Sequence, residues 1–159
     1  MTQVNGGYDV IVVGARVAGA ATALHLARAG HRVAVVDRSG PPADTTSTHA
    51  LMRTGVLQLR RLGVLDRIVE VGTPAIGQVT LVFGSQVITF PVSEDCGVNA
   101  YFAPRRTVLD TILIEVAVAA GAEFHSGVSV SDVSRDYTGR VNGIYARVGH
   151  GESRTPARH

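Results

Sequence analysis

Residues 8–37, YDVIVVGARVAGAATALHLARAGHRVAVVD, decide the fold. Asp9-Val10-Ile11-Val12-Val13 is a short β-branched run ending on Gly14, the pattern of a parallel strand buried on both faces. From Gly19 to Ala29 the residues suit a helix, with Ala20, Leu24 and Ala27 on one face and His25 and Arg28 off it. Gly30 stands where a helix C-terminal glycine belongs, and Arg32 to Asp37 resumes the strand pattern. The whole reads as a βαβ unit with a right-handed crossover. A nucleotide pyrophosphate fits at the N-terminus of its helix, where free amide N–H groups and the positive dipole end converge.

The fingerprint G-x-G-x-x-G asks for glycine at 14, 16 and 19, and the chain has Gly14, Arg16 and Gly19. The first glycine serves the tight turn and the third allows close helix-to-strand packing. The middle one normally lets the pyrophosphate approach the backbone, so Arg16 alters the phosphate contact. Asp37 follows Gly14 by 23 positions, near the roughly 20 expected of an acid that binds ribose hydroxyls. With a strand before, a helix after and an acid closing the second strand, the expectation is a dinucleotide site. Asp37 would serve NAD as well as FAD.

Outward from this unit, 159 residues with 45% hydrophobic content suit one α/β domain with a real core rather than two complete domains. Fifteen basic and thirteen acidic side chains give a net charge of +2, with the basic residues scattered. A nucleic-acid partner is not expected. Met1 to Gly7 lacks a basic region followed by an apolar run, and no stretch approaches the ~20 apolar residues of a membrane span. The cytoplasm is therefore the expected location. Cys96 is the only cysteine, which excludes an internal disulfide and a cysteine-rich zinc site; no metal site is expected.

After Asp37, the Pro/Ser/Thr/Gly-rich stretch from Arg38 to Thr48 reads as a loop at the carboxyl end of the second strand, where open α/β sheets bind ligands. Thr54–Gly63 and Val64–Gly72 read as two short helices, the first with Val56, Leu59 and Leu62 as its apolar face. Gln78 to Pro91 changes character: two strand-like runs flank Gly84-Ser85, a Gly-X pair suited to a tight hairpin turn. Such a hairpin does not belong in a doubly wound sheet. Tyr101 to Pro104 reads as a short extended segment before a helix over Thr107–Ala120. Leu109, Ile112, Leu113, Val116, Ala117 and Ala120 form its stripe. Ile114 and Val118 lie off the stripe, so the helix expects a neighbour that the chain does not supply. Ala122–His125, Val128–Val133 and Arg140–Val148 read as strands, the last two joined by a turn through Asp136 to Gly139. The tail from Gly149 is polar and without periodicity.

Three blocks carry a resemblance: residues 8–38, then TTSTHALMRTGVLQLRRLGVLDRI at 45–68, then PRRTVLDTILIEVAVAAGAEF at 104–124. With them the chain resembles the N-terminal part of FAD-dependent oxidoreductases of the aromatic-hydroxylase and geranylgeranyl-reductase type. The resemblance implies that the first block binds the ADP part of FAD through Gly14, Gly19 and Asp37. The intervening Ala15, Arg16, Val17 and Ala18, together with Arg38, complete the expected set. It further implies that Thr48 and His49 pass the flavin ring and that Arg106 contacts the flavin. Physics adds to the last point, since Arg105 and Arg106 at a helix N-terminus oppose its dipole by a few tenths of a kcal/mol or more. Something anionic or polar should compensate.

The resemblance implies a Rossmann-like α/β FAD-binding unit with an inserted β-hairpin, incomplete relative to the family fold. Residues 1–76 would be the βαβ unit and its following helices, 77–104 the opening hairpin of a mostly missing substrate domain, 105–148 the return to the FAD-binding domain and 149–159 a polar tail. The family continues with a G-A-D-G-like second FAD motif that these residues lack, so a truncated flavoprotein is expected. Its function would be that of an FAD-binding fragment of a monooxygenase or reductase using NAD(P)H and a small-molecule substrate, with no catalytic side chain to name because the flavin does the redox chemistry. Two other readings stand beside it. One is a non-enzymatic remnant or a subunit completed by another chain, with unpaired edges favouring self-association. The other is a NAD-dependent dehydrogenase domain, against which the hairpin argues.

Overall fold

A computed structural model describes residues 2–4, 7–40 and 50–149. The chain divides into two compact units, one of Met1–Ala43 with Leu113–His159 and one of Asp44–Ile112.

In the first unit, β2 (Val10–Val13), α1 (Val17–Arg28) and β3 (Val33–Asp37) form the expected βαβ unit, with Val10 opposite Val33 and Val13 opposite Val36 in a parallel ladder. β8 (Glu123–Ser126) adds in parallel on the other side of β3. β3 is therefore central, and Val33, Ala34, Val35 and Val36 are all buried, as continuous apolar runs in covered parallel strands are. α1 buries Ala20, Ala23, Leu24 and Ala27, three of them small enough to bring its backbone close to a neighbour. Gly30, at φ +87, ends it, with the Gly30 N–H donating to the Ala27 carbonyl and the His31 N–H to that of Leu26.

A second sheet is antiparallel, in the order β1 (Thr2–Val4), β10 (Val141–Val148), β9 (Val128–Arg135). Asp136 makes the expected turn between β9 and β10, accepting from the Thr138 and Arg140 N–H groups through Oδ1. Val36, Val128, Ile144 and Ala146 form one buried cluster, joined by Ile11 and Val130. Hydrophobic contact thus joins the two sheets.

In the second unit, α2 (Arg53–Leu62) and α3 (Leu65–Glu70) match the two expected helices, and left-handed Gly63 ends the first. Val56, Val98, Ala100 and Phe102 make the core there, with Leu51, Leu57 and Leu65 packed against it. β4 (Ala75–Ile76) pairs with β7 (Tyr101–Phe102), while β5 (Gln78–Phe83) and β6 (Gln86–Pro91) form the hairpin as a separate two-stranded sheet. α4 (Arg106–Ala119) runs across the division between the units.

Two details differ from expectation. β1 and β4 carry no sequence signal because each is two or three residues long and exists through its partner strand. Ile114, off the stripe of α4, is buried as well, so the chain itself supplies the neighbour for that position, and only Val118 of the off-stripe pair is exposed. Cys96, to which the sequence assigns no role, is exposed, at φ 52 in a two-residue turn closed by Asp95 and Val98.

Candidate nucleotide site at the glycine turn

The turn between β2 and α1 is built by two glycines under different constraints. Gly14 has φ +101, a conformation L side chains rarely adopt, and a Cβ there would meet nothing within 4 Å. Gly19 is limited by space instead, since a Cβ would lie 1.8 Å from the Gly14 carbonyl oxygen and 3.3 Å from Val12. The third glycine of the fingerprint is thus required by the approach of helix to turn. Arg16 is the N-cap of α1 with extended backbone (φ −82, ψ −177), so position 16 does not need glycine for conformational reasons. Its carbonyl accepts from the Ala20 N–H.

The N-terminus of α1 has no side-chain cap and no acid in its first turn. By helix geometry the N–H groups of Val17, Ala18 and Gly19 have no acceptor within the helix. They and the positive dipole end suit an anion, and no carboxylate of the first turn competes for the place.

Asp37 closes the turn from the second strand. Its Oδ2 accepts from the Ala15 N–H at 2.7 Å and its Oδ1 from the Ser39 N–H at 2.8 Å, while the Gly14 N–H donates to the Val36 carbonyl. Each carboxylate oxygen keeps acceptor capacity for a hydroxyl. The sequence indicates a ribose-binding acid and is silent on its second task of holding the turn. The parallel register could have revealed it, since Val13 faces Val36 and the next residues along must come together.

The structure thus brings together Gly14, Ala15, Gly19 and Asp37. Ala15 is buried, Arg16 and Val17 are partly buried, and Ala18 and Arg38 are exposed. Thr48 and His49 lie outside the described residues. Arg106 belongs to the second unit, and its Nε and Nη2 donate to Asp110 Oδ1 and Oδ2 at 3.1 and 3.0 Å. Asp110, one turn along the same helix, therefore supplies the compensation that the helix dipole demands, and a flavin contact for Arg106 rests on resemblance alone.

At the opposite, amino-terminal end of the parallel sheet lies another polar cluster. The Tyr8 hydroxyl donates to Glu123 Oε2 at 2.5 Å and lies 3.2 Å from His125 Nε2. The bond to Glu123 pushes the Tyr8 phenol up to about 12. Nearby in sequence, the Arg32 guanidinium holds the Asp9 carboxyl down to about 2. Both features sit away from the carboxyl ends of the strands where ligands of such sheets bind. Among the described residues no group of three or more His, Cys, Asp or Glu is placed to hold a metal, and no helix is long and apolar enough to cross a membrane.

Comparison with known proteins agrees with this geometry. The family model described as an FAD binding domain matches residues 7–157. The chain is 38% identical over 154 residues to the monooxygenase cfoF of Aspergillus candidus, covering 85% of this chain and 37% of that protein. It is also 38% identical over 141 residues to the menaquinone reductase of Mycolicibacterium smegmatis, covering 86% of this chain and 33% of that protein. The chain therefore spans about a third of the length of the curated relatives it matches. Among solved structures, Pseudomonas aeruginosa PqsL in complex with 2-aminobenzoylacetate superposes with a TM-score of 0.75 at 20% identity, over 87% of this chain and 38% of that one. The myxobacterial chondrochloren halogenase CndH, a variant of the FAD-dependent halogenases, gives 0.76 at 24% identity, over 91% and 34%. These two likenesses concern the fold. By the family match and the identities together, the chain belongs to the FAD binding domain family of flavin-dependent oxidoreductases.

Proposed function

We propose that this chain holds the ADP half of FAD at the β2–α1 turn, as part of a flavin-dependent monooxygenase or reductase that takes electrons from NAD(P)H and acts on a small-molecule substrate. The observation that carries the reading is the pairing of an uncapped helix N-terminus with an acid fixed at 2.7 Å from the turn it faces. In this reading the N–H groups of Val17, Ala18 and Gly19 receive the pyrophosphate, Arg16 adds a positive side chain in place of the middle glycine, and the Asp37 carboxylate accepts from the adenosine ribose hydroxyls. Ala15 and Gly14 set the shape of the turn. Arg38 flanks the acid, and Thr48, His49 and Arg106 serve the flavin end. When bound, FAD supplies the redox chemistry, accepting a hydride from a reduced nicotinamide. The protein's part is to bind and orient it. A cytoplasmic location belongs to the same reading.

The β5–β6 hairpin that follows α3 and β4 supports FAD over NAD, because a plain NAD domain would continue there with further βα units. A second reading, a subunit that works with another polypeptide, is favoured by the exposure of every residue of β6.

Titration of the 159-residue chain with FAD, ADP and NAD, followed by calorimetry, tests the proposal. FAD and ADP should bind competitively. Asp37→Ala should weaken both at least about tenfold, the loss of about 1.4 kcal/mol expected when a charged hydroxyl acceptor is removed. A chain that binds none of the three, or binds NAD better than FAD, defeats it.

A further inference from the structure

At the amino-terminal end of the parallel sheet, three donor atoms converge from distant parts of the chain. Glu123 and His125 are two residues apart on β8 and so share one face of the strand. Tyr8, 115 positions before Glu123, reaches them from just ahead of β2. Its hydroxyl oxygen lies 2.5 Å from Glu123 Oε2 and 3.2 Å from His125 Nε2, and that nitrogen lies 3.7 Å from the same Oε2. No motif announces the trio in the sequence, because it forms only when β2 and β8 flank β3.

We propose that Tyr8, Glu123 and His125 form a binding site for one divalent transition-metal ion of the zinc class. Geometry is the first argument. Three points with these separations lie on a circle of radius about 1.9 Å, so a position about 0.8 Å out of their plane is ~2.05 Å from each, within the roughly 2.0–2.2 Å of zinc bonds to nitrogen and oxygen. No strand has to move, and the short Tyr8–Glu123 edge relaxes once the hydrogen bond that draws it in is gone. Donor chemistry is the second. An imidazole nitrogen selects zinc, copper or nickel over magnesium and calcium, and with the two oxygens it fills three of four tetrahedral positions, leaving the last to water.

Charge is the third. Among the described residues the Glu123 carboxylate has no ion-pair partner but His125, while Arg32 pairs with Asp9. A cation therefore meets an acid whose charge is still uncompensated. On binding, the Tyr8 O–H gives up its proton to solvent, the phenolate oxygen and Glu123 Oε2 each bond the ion, and neutral His125 donates its Nε2 lone pair. The bound ion ties the start of β2 to β8 across β3, at the end of the sheet remote from the glycine turn. It does not depend on flavin binding.

Equilibrium dialysis and calorimetry of the 159-residue chain with Zn2+ test this, with Mg2+ as the comparison. Zn2+ should bind with a dissociation constant below about 0.1 mM, and Mg2+ should not compete. Glu123→Gln and His125→Gln should each weaken Zn2+ at least about tenfold, as the loss of even an outer partner of a metal ligand does. Tyr8→Phe should do the same and remove the tyrosinate absorbance that Zn2+ raises in the parent chain at neutral pH. The Glu123 and His125 side chains are 62% and 42% exposed, so their variants should keep the fold, which circular dichroism checks. The chain has six histidines, and binding that all three variants retain belongs to another of them. That result, no binding, or binding without the tyrosinate signal overturns the proposal and leaves the trio a hydrogen-bonded clasp.

Discussion

The glycine turn and the β5–β6 hairpin are both strand-turn structures centred on a positive-φ glycine, yet they differ in what surrounds them. Around Gly14 and Gly19, helix, turn and second strand press together until no Cβ fits at Gly19, and an acid from β3 ties the turn down. A Cβ at Gly84, as at Gly14, would meet nothing within 4 Å, and β6 is exposed from end to end. The first region is a finished piece of packing that a ligand can rely on. The second has the pattern of a buried sheet without a partner inside the described residues. The chain spans about a third of the length of the curated relatives it matches.

Substitutions sharpen this contrast. The largest effect belongs to the glycines. Gly19→Ala places a methyl 1.8 Å from a backbone oxygen, which only a shift of α1 relieves, and should cost about 3 kcal/mol together with FAD binding. Gly84→Ala has open space and only its φ of +59 against it, and should cost about 1 kcal/mol. Equal losses in denaturant titrations of the two variants would abolish the distinction. Next come the valines. Val36, 1% exposed in the cluster between the two sheets, should lose about 2 kcal/mol as alanine. Val87, 64% exposed, should change monomer stability by less than about 0.5 kcal/mol as threonine.

The smallest effect is a titration at the end of the sheet remote from the glycine turn. Tyr8 has its phenol raised from 10.0 to about 12 by its bond to Glu123. A pKa higher in the folded chain than in the unfolded one stabilises fully below pH 10 and fades as pH rises towards 12. Ultraviolet titration should find one of the four tyrosines ionising late, and Glu123→Gln should return it towards the ordinary range without altering FAD affinity. A late phenol that persists in the variant would assign the shift elsewhere.

Much of the architecture could be read from local pattern. Val10–Val13 and Val33–Asp37 are strands because β-branched runs suit a parallel sheet, and α1 shows its buried face as Ala20, Leu24 and Ala27. Of the two strands only the central β3 is buried; β2, at the sheet edge, has no buried residue and Val13 is 59% exposed, against the expectation of a strand covered on both faces. Gly30 and Gly63 end their helices with positive φ, as glycine placement predicts. Gly84-Ser85 turns the hairpin because glycine tolerates what the turn needs. Candidate site residues were less legible where they depend on partners far along the chain. Asp37 could be named from spacing, but its grip on Ala15 is a product of parallel register. The dipole argument identified a need at Arg106, and Asp110 in the same helix meets it.

By itself, then, the sequence determined the βαβ unit, the glycine and acid positions and the uncharged hairpin, since each follows from short-range periodicity and backbone preference. Tertiary structure alone decided that β3 is central, that β1 and β4 are strands at all and that Ile114 is buried. It also decided that Gly19 is required by a carbonyl five residues back in the chain. Those outcomes depend on which surfaces meet, and a preference confined to neighbouring residues does not carry that information.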